Sequence, residues 1–296
     1  MNLGTALVEP PIDEIERSDA WALVRTDSLR WLATRDPDSV DGFVMDPPYS
    51  SGGQFRGDRT ASVVDKYQQS GHAQGDYPEF YGDTRDGRGM LAWLSLVFAD
   101  AWRVTKPSGV IVTFSDWRML PTMTDAVQAG GWVWRGIVPW YKPNARRQLG
   151  RFTGACEFAI WGSKGPMPVE RDVGALPGFF RDANVSPELR EPPAYIQSNS
   201  VPGDDRQHVT EKPESVMREL VKLVTPGGLV CDPFTGSGTT GVAALLEGRR
   251  FVGCELSPEY FRVACDRFRA LANLEHRKDA ARGQVGLFAQ KQEQDT

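Results

Sequence analysis

Asp46-Pro47-Pro48-Tyr49 closes the apolar run Asp41-Gly42-Phe43-Val44-Met45. Proline after Asp46 biases that residue to extended backbone, and two successive prolines fix φ and carry no N–H, so the Pro47 carbonyl is held as a rigid acceptor. A carboxylate, a fixed carbonyl and an aromatic ring then stand together. They offer two acceptors to the two N–H donors of an exocyclic amine, and a π-face to a planar base. Such an amine is a poor nucleophile because its lone pair is delocalised into the ring. Hydrogen bonds from both its protons to Asp46 and Pro47 favour pyramidalisation and free that lone pair. A proline strand terminator beside an exposed tyrosine is the competing explanation for these four residues taken alone.

The second constellation is Asp232-Pro233-Phe234-Thr235-Gly236-Ser237-Gly238-Thr239-Thr240-Gly241, between the apolar run Leu229-Val230-Cys231 and an apolar helix expected over Val242 to Glu247. Its glycines permit a tight turn and close approach of a ligand to the backbone, and the helix start offers free N–H groups to a polar moiety. A nucleotide-like cofactor is the natural occupant. No Gly-Lys-Thr follows, so this is not a phosphate-binding P-loop. Glu255 closes the next apolar run, at an offset close to the ~20 residues at which an acidic side chain accepts from a ribose diol.

Both motifs need elements to position them. Trp21 to Val24, Asp41 to Met45, Val110 to Phe114, Trp132 to Trp140, Cys156 to Trp161, Leu229 to Cys231 and Arg250 to Cys254 read as strands, the fourth and fifth as a possible hairpin. Helices are expected over Met90 to Val104, Leu120 to Ala129, Glu214 to Val224 and Pro258 to Ala272. This alternation implies an α/β fold with a doubly wound, mostly parallel sheet, whose ligands lie beyond the carboxyl ends of the strands at a topological switch point. Ser50 to Arg88 is rich in Gly, Ser, Gln and Asp without a period and reads as a mobile loop or lid. Gly165 to Gln207 reads as an insertion, and the polar tail after Glu275 as an element that frays.

The 296 residues are 40% hydrophobic, 25% charged and 10% aromatic, an ordinary globular composition. A net charge of −5 argues against non-specific coating of nucleic acid, which rests on neutralising phosphates with Lys and Arg. A local basic groove is still compatible with it. Arg135, Lys142, Arg146, Arg147 and Arg151 fall in one stretch without an acidic residue, beside Trp140 and Tyr141. The four cysteines are far apart without a Cys-x-x-Cys pair, so buried reduced thiols are expected and a zinc site is not. No apolar run approaches ~18 residues, and Met1 to Ser18 is acidic without a signal-peptide pattern; a cytosolic chain with no membrane contact is expected.

Together the two motifs resemble the amino-group DNA methyltransferases that use S-adenosylmethionine, in the beta-group order with the catalytic motif first and the cofactor motif last. The likeness extends over most of the chain. It implies a Rossmann-like methyltransferase sheet with an inserted target-recognition region, divided as residues 1–164 (catalytic half, with 50–89 as mobile loop), 165–207 (target recognition), 208–275 (cofactor half) and 276–296 (tail). Asp46, Pro47, Pro48 and Tyr49 match the catalytic motif. Asp232, Phe234, Gly236, Ser237, Gly238, Thr239 and Thr240 match the cofactor motif, with Glu255 on the ribose. Thr26-Asp27-Ser28-Leu29 resembles the acidic segment before the catalytic strand, which makes Asp27 the candidate for the cofactor adenine.

His208-Val209-Thr210-Glu211-Lys212-Pro213 resembles the family's His-Pro-Thr-x-Lys-Pro with valine in place of the first proline, and makes Lys212 and Pro213 cofactor-pocket candidates. Trp140, Lys142, Asn144, Arg146, Arg147 and Arg151, with Glu157, resemble the segment around the flipped base and its phosphates. The resemblance implies methylation of adenine N6 in duplex DNA, of the kind found in restriction-modification systems, without a metal. Alternatives are cytosine N4, an RNA or protein-amide acceptor, or a DNA-binding protein without catalysis. A homodimer is compatible with it.

Overall fold

The computed structural model describes residues 14–48, 86–142, 149–150, 152, 154–182, 195–198 and 212–281. Among these residues there are ten strands, β1 (Glu14–Arg17), β2 (Trp21–Arg25), β3 (Val40–Met45), β4 (Thr105–Ser115), β5 (Val133–Tyr141), β6 (Cys156–Ser163), β7 (Phe179–Asp182), β8 (Tyr195–Ser198), β9 (Leu229–Asp232) and β10 (Arg250–Glu255). The helices are α1 (Ser28–Ala33), α2 (Gly87–Val104), α3 (Leu120–Ala129), α4 (Glu214–Val221), α5 (Thr239–Leu246) and α6 (Pro258–Ala281).

All ten strands form one sheet in the order β1-β2-β10-β9-β3-β4-β6-β5-β7-β8. The five central strands from β2 to β4 are parallel, and β6 runs against both β4 and β5. The expected pairing of the two strands over Trp132 to Trp161 is therefore present as β5 and β6. From β3 the chain moves outward to β4, whereas from β9 it moves the other way to β10. Crossovers of one hand that travel in opposite directions must cover opposite faces of the sheet. Accordingly α2 packs between α1 and α3, and α5 packs between α4 and α6.

The switch point lies between β3 and β9, which pair directly through Gly42 with Val230 and Phe43 with Cys231. Asp41 locks this junction from below: its Oδ2 accepts from the Leu229 N–H at 2.8 Å and its Oδ1 from Lys106 Nζ at 2.8 Å. The β3 run is buried from Gly42 to Met45, and Phe43, Val44 and Met45 have no exposed surface.

Three elements depart from expectation. The strand expected from Val110 begins at Thr105, because Ser108 adopts φ 64° and lets the turn be absorbed within β4. The final helix runs to Ala281 rather than Ala272; the added stretch is polar but made largely of strong helix formers. The region from Gly165 to Gln207 contributes β7 and β8, which extend the sheet edge beyond β5. Most of Ser50 to Arg88 lies outside the described residues. Among the described residues the four cysteines are free, and no helix is long and apolar enough to cross a membrane.

Candidate active site

The strands β2, β10, β9 and β3 are consecutive in the sheet, and each ends in an acidic residue or is followed by one within two positions: Asp27, Glu255, Asp232 and Asp46. At about 4.8 Å between strands, this acidic row spans ~14 Å along the carboxyl edge. Segments nearly two hundred positions apart thus meet on one side of the sheet.

Each acid is held differently. Asp27 caps α1, its Oδ1 accepting from the N–H groups of Leu29 and Arg30 at 3.1 and 3.2 Å. Glu255 braces the glycine loop. Its Oε2 accepts from the Gly236 N–H at 2.7 Å and its Oε1 from Ser257 at 2.8 Å, while burial raises its pKa against these bonds. Asp232 accepts from the Phe234 N–H at 2.9 Å. Burial pushes its carboxyl up to about 7; hydrogen bonds from Thr240 and Phe234 oppose the rise, and the charges of Asp46 and Glu255 add to it.

The glycine loop turns where only glycine fits. Gly238 has φ 91°, and a Cβ there would lie 3.0 Å from that of Ala264 on α6. A Cβ on Gly241 would stand 2.4 Å from the Phe268 ring. From the same helix, Arg267 Nη1 donates to the Ser237 carbonyl at 3.0 Å and to the Ser237 and Thr239 hydroxyls at 3.2 Å. Phe234 meets Trp93 of α2 edge to face, with ring centroids 5.6 Å apart. No local spacing in the sequence singles out Arg267 or Trp93, because each reaches the loop from a separate helix.

Asp46 follows β3 directly, with Pro47 buried behind it. Its Oδ2 accepts from Lys212 Nζ at 2.6 Å, while its Oδ1 is buried without a hydrogen-bond partner among the described residues. Lys212 Nζ also lies 3.5 Å from Glu157 Oε2 and 5.0 Å above the Phe114 ring of β4. The ammonium therefore bridges from the end of β3 to β6 across the end of β4. Glu157 is bonded in turn to Lys142, which follows the last residue of β5 and lies diagonal to Glu157, two positions on from its pairing partner Trp140. Burial raises Asp46 above the ordinary carboxylate range against the pull of Lys212. Burial also opposes charge on Glu157, but Lys212 and Lys142 override it and hold that carboxyl at about 2.

Lys212 thus meets the carboxylate of the other motif, and Pro213 is the residue before α4. Trp140 departs from the expected surface contact. It is 4% exposed, because β7 covers β5 at this point, and its ring backs Lys142 Nζ at 4.2 Å. Tyr49, Asn144, Arg146, Arg147, Arg151 and His208 lie outside the described residues. A residue the sequence did not single out is Trp117, just beyond β4, which is 62% exposed beside Gly154.

Comparison with known proteins agrees with this arrangement. The chain is 26% identical over 253 residues to the Type II methyltransferase M2.DpnII of Streptococcus pneumoniae, covering 84% of this chain and 89% of that protein. It is 27% identical over 267 residues to the Type II methyltransferase M2.LlaDCHI of Lactococcus lactis subsp. cremoris, covering 88% and 93%. Among solved structures, the cytosine-N4-specific PvuII DNA methyltransferase superposes with a TM-score of 0.59 at 18% identity, covering 88% of this chain and 93% of that one. The M1.HpyAVI complex with SAM gives 0.53 at 22%, covering 83% and 98%. These two establish a shared Rossmann-like fold. The model of the N6/N4 DNA methylase family matches residues 40–266, a span that holds Asp46, Lys212 and the whole glycine loop, and the chain belongs to that family.

Proposed function

We propose that this protein transfers a methyl group from S-adenosylmethionine to the N6 amine of an adenine turned out of duplex DNA. The observation that carries the reading is the meeting of the acidic row, at the β3/β9 switch point, with an Asp46 Oδ1 that has no hydrogen-bond partner among the described residues. The acids and the glycine loop fit the cofactor. Glu255 and Asp27 would hold its nucleoside and Asp232 and Asp46 would face its cationic group, with backbone N–H groups at the start of α5 as further donors. When bound, S-adenosylmethionine supplies an electrophilic methyl group on a positively charged sulfur.

The chain's own residues do the rest. Asp46 Oδ1 and the Pro47 carbonyl accept the two N–H protons of the amine and favour its pyramidal form. As the nitrogen–carbon bond forms at the expense of the methyl–sulfur bond, whose electron pair stays on a now neutral thioether, positive charge passes to the nitrogen, and the Asp46 carboxylate stabilises it. One amine proton then passes along its hydrogen bond to Asp46 Oδ1 and from there to solvent. Turning the base out costs a few kcal/mol in lost stacking and pairing. Positioning and electrostatics carry the catalysis, with no covalent intermediate on the protein.

Cytosine also presents an exocyclic amine with two N–H donors, so Asp46 and Pro47 serve it equally. The choice of adenine rests on the resemblance of Asp46-Pro47-Pro48-Tyr49 to the adenine form of the family motif. Nucleoside mass spectrometry of DNA treated with the protein is expected to show N6-methyladenine. N4-methylcytosine without it overturns the choice of base, and methylated RNA with unmethylated DNA overturns the choice of nucleic acid.

Trp117 offers an exposed aromatic face at the same end of the sheet as Asp46. Stacking of a base on such a ring is worth ~1–3 kcal/mol. Trp117→Ala is therefore expected to raise KM for DNA by about tenfold in steady-state assays, leaving S-adenosylmethionine affinity unchanged. An unchanged KM removes Trp117 from the DNA contact surface.

A further inference from the structure

Asp46 has two oxygens with unlike environments. Oδ2 is taken by the Lys212 ammonium at 2.6 Å, and Oδ1 is buried and unpartnered among the described residues. The ammonium is itself confined. Glu157 Oε2 lies 3.5 Å from it, the Phe114 ring lies beneath it, and Lys142 secures Glu157 from the far side. Lys142, Glu157, Lys212 and Asp46 form a chain of alternating charge whose sum is zero, laid across four neighbouring strands from β5 to β3.

We propose that Lys212, confined by Glu157, is a positioning residue that keeps Asp46 an ionised acceptor with Oδ1 turned to the substrate amine. This rests on the methyl-transfer reading above and deepens it. A buried carboxyl left alone takes up a proton, and a protonated Oδ1 donates a hydrogen bond, which an amine with two donors of its own cannot use. The Lys212 ammonium prevents that. By occupying Oδ2, it also fixes which oxygen faces the substrate. Glu157 prevents the opposite excess: without it the site carries a net positive charge, which opposes the positive charge that arrives on the nitrogen.

The charged groups facing Asp46 are Lys212 before α4, Glu157 on β6, Lys142 beyond β5 and Asp232 on β9. Lys212 and Lys142 lower the Asp46 pKa, Glu157 raises it, and Asp46 in turn raises that of Asp232. Substitution of the two central members therefore acts in opposite directions.

In Lys212→Met the acid limb of the kcat–pH profile is expected to move to higher pH. The loss of kcat exceeds tenfold at pH 6.5 and shrinks toward pH 9, with KM for DNA little changed. Lys212→Arg retains the wild-type limb. In Glu157→Gln the limb moves to lower pH and the plateau falls several-fold. Parallel profiles for Lys212→Met and wild type, differing by one constant factor, overturn the proposal, since that is what a structural role alone produces.

If Lys212→Met does not fold, Glu157→Gln decides: a downward shift of the limb supports the proposal and an unmoved limb overturns it. Titration of the Asp46 carboxyl carbon by NMR in the full-length protein reads the same shifts without turnover. A chain that proves to methylate a different amine therefore fails the functional reading while leaving this test intact.

Discussion

Replacement of Asp46 by alanine is expected to lower kcat by about 10³-fold, the upper end of what loss of one preorganised transition-state contact costs. The geometry explains why the effect falls on kcat. Oδ1 has no hydrogen-bond partner among the described residues, so the substitution takes away the acceptor for the amine together with the Lys212 ion pair at Oδ2. Cofactor affinity is expected to change by a few-fold at most, since Asp232 and Glu255 remain. Folding is expected to survive. An ammonium stripped of its only buried partner costs ~3–5 kcal/mol, but Lys212 keeps Glu157 at 3.5 Å. Single-turnover methylation, with thermal melting and cofactor titration as controls, checks all three points. A folded, cofactor-binding Asp46→Ala protein with wild-type turnover removes Asp46 from the reaction.

The two strand-end motifs were legible because their physics is local. Proline stops an apolar run at Asp46, and glycines follow another at Phe234, so each motif announces both its chemistry and its place on the carboxyl edge. The sheet class followed from the alternation of apolar runs with helical periods. The link from Lys212 to Asp46 was not legible, because it joins residues 166 positions apart and nothing in either segment specifies the other.

Similar reasons hid β1, β7 and β8. Glu14–Arg17 is a mostly exposed, charged edge strand, and Phe179–Asp182 carries only two apolar residues before its charges begin. Both gain their pairing from an existing sheet edge and not from their own pattern. Trp140 misled for a related reason: aromatic and basic neighbours look alike in sequence whether the ring faces solvent or backs a cation from within the core.

Cofactor affinity is expected to depend on pH in a way that distinguishes the methylated cofactor from its demethylated product. Asp232 has its carboxyl raised to about 7, chiefly by burial and further by Asp46 and Glu255 in the same row. Below that pH it is largely neutral, and above it the row gains one negative charge. S-adenosylmethionine carries a sulfonium cation that S-adenosylhomocysteine lacks, whereas their other charged groups are the same. One unit charge at ~8 Å with an effective permittivity of ~20 is worth about 2 kcal/mol. Solvent and the neighbouring acids reduce this, so the dissociation constant for S-adenosylmethionine is expected to fall by about tenfold between pH 6 and pH 8. That for S-adenosylhomocysteine should stay nearly level.

Stability without cofactor should move the other way. A carboxyl whose folded pKa lies above its unfolded value contributes fully below pH ~4, and that contribution is lost as the pH rises toward 7. Asp232→Asn should therefore flatten both the pH dependence of S-adenosylmethionine binding and that of the melting temperature over this window. Calorimetric titrations of the two ligands at pH 6, 7 and 8 test the sign directly, because parallel profiles would mean that the acidic row does not sense the sulfonium charge and that the cofactor lies elsewhere on the sheet edge.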